Sequence, residues 1–391
     1  MPGFELVGAE EKEAVMEIFN DGGVLFAHGF DKMRNGRYRV REFERAFADY
    51  LGVKYAQAVS TGTAAVKVAL RAAGIGPGDE VITQAFTFVA TVEAIVDLGA
   101  KPVIVNIDAT LNMDPKEVEK AITPRTKAIM PVHMLGVAAE MDKIFEVAGR
   151  HKLKVVDDNC ESLGAEWDGR KLGTDSNACA WSFDAGKVMI TGEGGMVTTN
   201  DEEVYLLARE YHDHGHQYNQ SLPRGRDTHR LYGFNYRMSE LQAAVGLAQL
   251  KKLDYIVDKN RAHYKVYEDA LKGVIGIKFR RVPSKCKPLC DCLIFSFPQV
   301  GQANEFVRLI GERGIGTKNV PDAIEWHFAR YWDHIFTKFG ISKEELWAMT
   351  QPSADLLDRS VAIPIMVKIE DSRVKSNAEN LVQAARRVLK D

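Results

Sequence analysis

One lysine stands out by its surroundings. In Trp181-Ser182-Phe183-Asp184-Ala185-Gly186-Lys187-Val188-Met189-Ile190-Thr191-Gly192-Glu193-Gly194-Gly195-Met196-Val197, an amine follows an apolar strand and precedes a glycine-rich turn and a second strand. That spacing puts Lys187 on a loop at a sheet edge, within reach of a cofactor. A lysine is a compact, strongly hydrated charge, so Lys187 taken alone reads first as a solvated surface residue. Its chemistry depends on what else arrives beside it.

Three separate stretches supply companions. Ser60-Thr61-Gly62-Thr63-Ala64-Ala65 follows a strand and opens a helix, where small residues let backbone N–H groups and hydroxyls approach an anion. The same residues also read as a plain N-cap by Ser60 or Thr61. Val155-Val156-Asp157-Asp158-Asn159-Cys160-Glu161 ends a buried strand in two carboxylates, at the sheet end where ligands sit in open α/β folds. A carboxylate there could pair with a protonated pyridine nitrogen, or simply cap a helix. Gln84-Ala85-Phe86-Thr87-Phe88-Val89-Ala90-Thr91 brings two aromatics to another strand end, for a cofactor ring or for the core.

The elements that must position these groups alternate in type. Strands are expected at 55–59, 80–82, 102–105, 128–132 and 154–156, with helices at 64–73, 90–98 and 141–151 between them. This is the pattern of a mainly parallel sheet covered by helices. A helix predicted over 241–271 leads to a second, mixed α/β domain with a strand near 293–297 and helices near 303–312 and 378–389. The expected division is a large domain over 1–250, whose N-terminal segment could pack on the small one, and a small C-terminal domain over 251–391.

With 391 residues and a formal charge of -3, the chain is long enough for two domains and carries no field to attract nucleic acid or an anionic membrane. No apolar run approaches the roughly 18 residues of a membrane helix. Glu10, Glu11 and Glu13 close to the N-terminus suit a cytoplasmic start rather than a secretory signal. Five unevenly spaced cysteines make no disulfide framework, and Cys286, Cys290 and Cys292 lack a second ligand pair at zinc spacing, so no metal is expected.

Taken together and in this order, the motifs resemble the DegT/DnrJ/EryC1/StrS family of pyridoxal-phosphate-dependent sugar aminotransferases. Besides the stretches above, the likeness includes Glu42-Phe43-Glu44, Tyr50 to Ala56, Gly78-Asp79-Glu80-Val81-Ile82, Asp254, Arg261, and Arg359 to Pro364. It implies fold type I: a large domain with a mainly parallel seven-stranded sheet between helices, and a smaller C-terminal α/β domain. By resemblance, Lys187 is the Schiff-base lysine and Asp158 the acid paired with the pyridinium nitrogen. Ser182, Gly62, Thr63 and Ala64 correspond to the phosphate cradle, and Phe88 to the residue stacked on the ring. Asn235 matches an asparagine given to the phosphate of the other subunit, which implies a homodimer with shared active sites. The implied cofactor is pyridoxal 5′-phosphate, with pyridoxamine 5′-phosphate between half-reactions. Glutamate is the implied donor, and a keto or aldehyde sugar the acceptor.

The chain departs from the family pattern at two places. Glu161 stands where members carry Gln or His near the cofactor's phenolic oxygen. The run Tyr211-His212-Asp213-His214-Gly215-His216 lengthens the usual His-Gly pair; if extended, it would turn His212, His214 and His216 to one side. The N-terminal residues, Phe30 to Asn35, and Asp213 to His216 most resemble aminotransferases that make 8-amino-3,8-dideoxy-manno-octulosonate for lipopolysaccharide. An acidic sugar of that kind needs cations, for which Arg34, Arg37, His214, His216, Arg224, Arg226 and Arg230 are the candidates. The alternatives are an aminotransferase on a nucleotide-linked 3- or 4-keto-hexose, a synthase of aminohydroxybenzoate type, and a non-catalytic regulator. Lys187 argues against a dehydratase, which carries histidine at that position.

Overall fold

The computed structural model describes residues 2–390. Seven strands form the main sheet: β1 (Tyr55–Val59), β2 (Glu80–Gln84), β3 (Lys101–Val105), β4 (Thr126–Ile129), β5 (Lys154–Asp158), β6 (Ala178–Ser182) and β7 (Gly195–Thr199). Their spatial order is β1-β7-β6-β5-β4-β2-β3. Only β7 is reversed, pairing antiparallel with β1 and β6, while the remaining neighbours are parallel.

Alternation along the strands divides the core into two layers. Ala58, Ile82 and Val155 face one layer with Phe43, Phe47, Trp181 and Phe183, whereas Val59, Val81 and Val156 face the helix Gly62–Ala72. Phe47 and Phe183 meet edge-on with centroids 5.3 Å apart, and both are fully buried. Each such side chain contributes about 1.5–3 kcal/mol through burial. The helix Arg39–Leu51, which carries Phe43 and Phe47, stops at Gly52, whose φ of 76° is left-handed. Glycine adopts that conformation without a Cβ penalty.

The helix expected over 241–271 is two helices, Glu240–Leu250 and Leu253–Leu271, separated at Lys251-Lys252. The first is opened by a capping box in which Ser239 and Gln242 satisfy each other's backbone amides. Beyond them, Lys278–Phe279, Cys292–Ser296 and Ser360–Pro364 make a three-stranded antiparallel sheet. It is covered by Leu253–Leu271, Val300–Gly311 and Asp371–Leu389. The last of these starts seven residues before the expected 378, because Arg373, Lys375 and Ser376 lie on an exposed face that hides the period. A second apolar cluster, including Phe86, Leu135, Ile294 and Phe328, joins this smaller unit to the edge of the main sheet. Among the described residues, no helix is long and apolar enough to cross a membrane.

Candidate active site

β6 and β7 leave and enter the sheet at one edge, so the loop between them is held at both ends. Asp184 shapes it: its carbonyl accepts from Lys187 N at 3.0 Å and its Oδ1 from Gly186 N at 2.8 Å. Lys187 thereby faces a cavity of about 340 Å³, with Gly62, Phe88, Asp158, Glu161 and Ser182 among its other walls. Its Nζ lies 3.5 Å from Glu161 Oε1 and 3.9 Å from Asp184 Oδ2. Burial disfavours the charged amine, but Glu161, Cys160 and Asp184 outweigh it and hold Lys187 above the usual lysine value.

The start of the helix Gly62–Ala72 forms one end of the cavity. Thr61 is its N-cap, with Oγ1 accepting from Ala64 N at 3.1 Å. The capping alternative therefore holds for Thr61 and occupies the Ala64 amide, leaving Gly62 and Thr63 as the first-turn amides without an intrahelical partner. A Cβ on Gly62 would lie 2.6 Å from Ser182 Cβ and Oγ, so only glycine lets helix and serine close around one space.

Alternation separates the paired aspartates at the end of β5. Asp157 is fully buried toward His133, whose Nε2 is 3.5 Å from Oδ2. Asp158 faces the cavity, where Oδ2 accepts from Thr91 Oγ1 at 2.7 Å and Oδ1 from Cys160 N at 3.1 Å. The two aromatics separate similarly: Phe86 is wholly buried, whereas Phe88 is 42% exposed and lines the cavity beside the His327 ring, 5.2 Å away.

Glu161 draws in residues that no local motif announces. Its Oε2 accepts from Leu135 N at 3.1 Å and its Oε1 from Asn319 Nδ2 at 3.3 Å. Burial alone would raise this carboxyl, but Lys187, His327 and Lys318 bring it down to about 2. Lys318, Asn319 and His327 come from the smaller unit, far along the chain from Lys187. Asn319 has a φ of 64°, a conformation in which asparagine is enriched, but no sequence motif marks it or its neighbours.

Several expected residues lie elsewhere. Asn235 opens onto a separate groove beside Thr63, Ala64 and Tyr236. The histidine run is not extended. His212 caps the helix Glu202–Tyr211 and is buried, His214 has a φ of 55° and is exposed, and His216 Nδ1 is 3.1 Å from Asp227. No group of three metal-ligating side chains gathers among the described residues. Arg34 is 2% exposed, 3.7 Å from Glu240 and 4.1 Å over the Tyr38 ring, away from the walls of the Lys187 cavity. Arg37, Arg224 and Arg230 pair with carboxylates of their own chain, and Arg226 is exposed. None of these arginines lines the Lys187 cavity.

The donor set fits pyridoxal 5′-phosphate on three counts: the glycine-dependent cradle suits an anion, the Asp158 carboxylate has no cationic partner among the described residues, and Lys187 lies within the same walls. Residues 24–382 match the DegT/DnrJ/EryC1/StrS aminotransferase family. The chain is 48% identical over 220 residues to the GDP-perosamine synthase of Caulobacter vibrioides, spanning 56% of this chain and 58% of that protein. It is 38% identical over 257 residues to the UDP-2-acetamido-2-deoxy-3-oxo-D-glucuronate aminotransferase of Pseudomonas aeruginosa, spanning 64% of this chain and 70% of that one. The chain thus spans little more than half the length of the first of these relatives. It superposes on a crystal structure of 3-amino-5-hydroxybenzoic acid synthase with a TM-score of 0.85 at 29% identity, covering 99% of this chain and 98% of that one. The family match begins ahead of β1 and ends inside the helix Asp371–Leu389, so the sheet, the lysine loop and the smaller unit all fall within it, and the chain belongs to the DegT/DnrJ/EryC1/StrS aminotransferase family.

Proposed function

We propose that the protein is a pyridoxal-phosphate-dependent aminotransferase that moves an amino group from an amino acid, glutamate, to a keto or aldehyde sugar. The observation that carries this reading is the meeting of Lys187, Asp158 and the Gly62–Ser182 cradle in one cavity. When bound, the cofactor supplies an electron sink and the carbonyl that exchanges amines. The chain's residues do the rest. The Gly62 and Thr63 amides with Ser182 hold the phosphate, and the Asp158 carboxylate, kept in place by Thr91 and Cys160 N, holds a proton on the ring nitrogen. Lys187 Nζ takes the proton from the donor's α-carbon as base and returns one as acid. Phe88 covers the ring side of the cavity.

For the acceptor, we favour a nucleotide-linked keto sugar. The names of the Caulobacter and Pseudomonas relatives point that way. The cavity contributes four carboxylates, from Asp158, Glu161, Asp184 and Glu193, and no arginine, so this subunit alone offers no guanidinium there either to a sugar acid or to the diphosphate of a nucleotide sugar. Either acceptor then calls for cations from a partner subunit, for which exposed Arg226 is a candidate. Asn235, with exposed Phe234 and Tyr232 nearby, supports a homodimer in which this segment reaches the neighbouring site. The test is amine transfer from glutamate to a panel of GDP- and UDP-linked keto sugars and to the 8-oxo octulosonate, followed by mass spectrometry of the product. Transfer to none of them by cofactor-loaded protein would overturn the reading.

A further inference from the structure

We infer that Glu161 is a positioning residue for the Lys187 amine, and that the Lys318-Asn319 segment of the smaller unit fixes it there. The inference rests on the reading of Lys187 as the amine that bonds the cofactor, although its test does not need turnover.

Both oxygens of Glu161 are committed. Oε2 takes the Leu135 amide, while Oε1 is shared between Asn319 Nδ2 at 3.3 Å and Lys187 Nζ at 3.5 Å. The two partners that aim the carboxylate are themselves in left-handed backbone, with φ of 49° at Leu135 and 64° at Asn319. For a leucine that conformation is strained, and it persists where its surroundings impose it. The Asn319 segment is tied down on both sides. Lys318 N donates to Ala362 O at 2.9 Å, and Lys318 Nζ donates to Asp291 Oδ2 at 2.6 Å. Asp291 lies just before the strand Cys292–Ser296, so Glu161 is clamped from the sheet of the smaller unit. A neutral glutamine at 161 keeps one acceptor oxygen, enough for Leu135 N, and turns its NH2 toward Asn319, whose amide can flip to accept from it. What the carboxylate adds is a charge beside Nζ, which draws the amine toward one wall of the cavity.

The charged and titratable groups facing Lys187 are Glu161, Cys160 and Asp184, with Lys318 opposing them and Asp158 and Glu193 on the same cavity walls. Those facing Glu161 are Lys187, His327 and Lys318. Two substitutions should therefore move the amine in opposite directions, which general damage to the site would not do.

The experiment is competitive labelling of the cofactor-free protein with acetic anhydride across pH, with the Lys187 peptide quantified by mass spectrometry. Glu161→Gln is expected to lower the pH midpoint of Lys187 labelling by about one unit or more, the size of effect an opposite charge at this range produces. Asn319→Ala, which keeps the carboxylate but frees it, should lower the midpoint less. Lys318→Met should raise it, since a cation is removed and Asp291 is left unneutralised. An unchanged midpoint in Glu161→Gln with an unaltered melting temperature overturns the proposal. Should that variant fail to fold, an unchanged midpoint in Asn319→Ala does the same. If the wild-type protein forms no lysine-bonded chromophore with pyridoxal phosphate, the proposed function fails, while the labelling midpoints still report on Glu161.

Discussion

Gly62 packs against Ser182 so closely that a Cβ at position 62 would come within 2.6 Å of the serine's Cβ and Oγ. Gly62→Ala must push the two apart, at an overpacking cost of about 1–3 kcal/mol. The loss should fall on cofactor affinity: titration with pyridoxal phosphate is expected to show a dissociation constant raised about tenfold or more, equivalent to roughly 1.4 kcal/mol. Unchanged affinity would remove Gly62 and Ser182 from the cradle.

Lys187→Ala is expected to abolish amine transfer to every acceptor, together with the near-visible absorbance of lysine-bonded cofactor. Borohydride should then fix no cofactor to the chain. Turnover by this variant would defeat the assignment of Lys187.

Asp158→Asn keeps the shape of the side chain and removes its charge. An opposite charge beside a titrating group shifts it by about 1–3 units, and each unit is tenfold, so single-turnover rates should fall by about ten- to a thousandfold. Thr91→Val removes one of the two hydrogen bonds given to that carboxylate and should cost less. A rate in Asp158→Asn equal to wild type would place the ring-nitrogen contact elsewhere.

Away from the cavity, Gln57 touches two groups displaced in opposite directions: its Nε2 donates to Glu44 Oε1 at 2.8 Å and lies 3.2 Å from His212 Nε2. Burial pushes Glu44 up from 4.5 to about 7 and His212 down from 6.5 to about 4. With the histidine lowered, the unfolded chain binds the extra proton, so its share of stability is complete above pH 6.5 and fades as pH falls toward 4. With the carboxyl raised, the folded chain binds the extra proton, so its share is complete below pH 4.5 and fades as pH rises toward 7. The two slopes oppose each other between pH 4.5 and 6.5, and the two contributions should nearly cancel there. Relative to wild type, His212→Gln should tilt stability downward with rising pH and Glu44→Gln should tilt it upward, each by up to about 1.4 kcal/mol per pH unit. Urea unfolding at three pH values checks the signs.

Much of the site could be read locally. The strand Tyr55–Val59 and the helix Met141–His151 fall on their expected bounds, because apolar period and glycine punctuation are short-range signals. Lys187 was legible for the same reason, lying between two strands that flank one loop. Lys318, Asn319 and His327 were not, since their approach to Glu161 depends on how the smaller unit packs against the sheet through contacts such as Phe86 with Phe328. The histidine run does not share one face, because spacing of two implies one face only in extended chain, and the helix capped by Asp201 runs up to His212. The break at Lys251-Lys252 was hidden by apolar spacing that continues through it.

The reversed strand β7 joins Val59 on one side to Ser182 on the other through Gly195. During synthesis β1 emerges early, yet its neighbour in this sheet is the last of the seven strands to leave the ribosome. The nascent chain therefore carries an unpaired edge for much of its translation, and the anion cradle cannot assemble vectorially. Such long-range closure is slow and exposed to aggregation, so truncation before residue 199 should leave a fragment dependent on chaperones rather than a smaller folded protein.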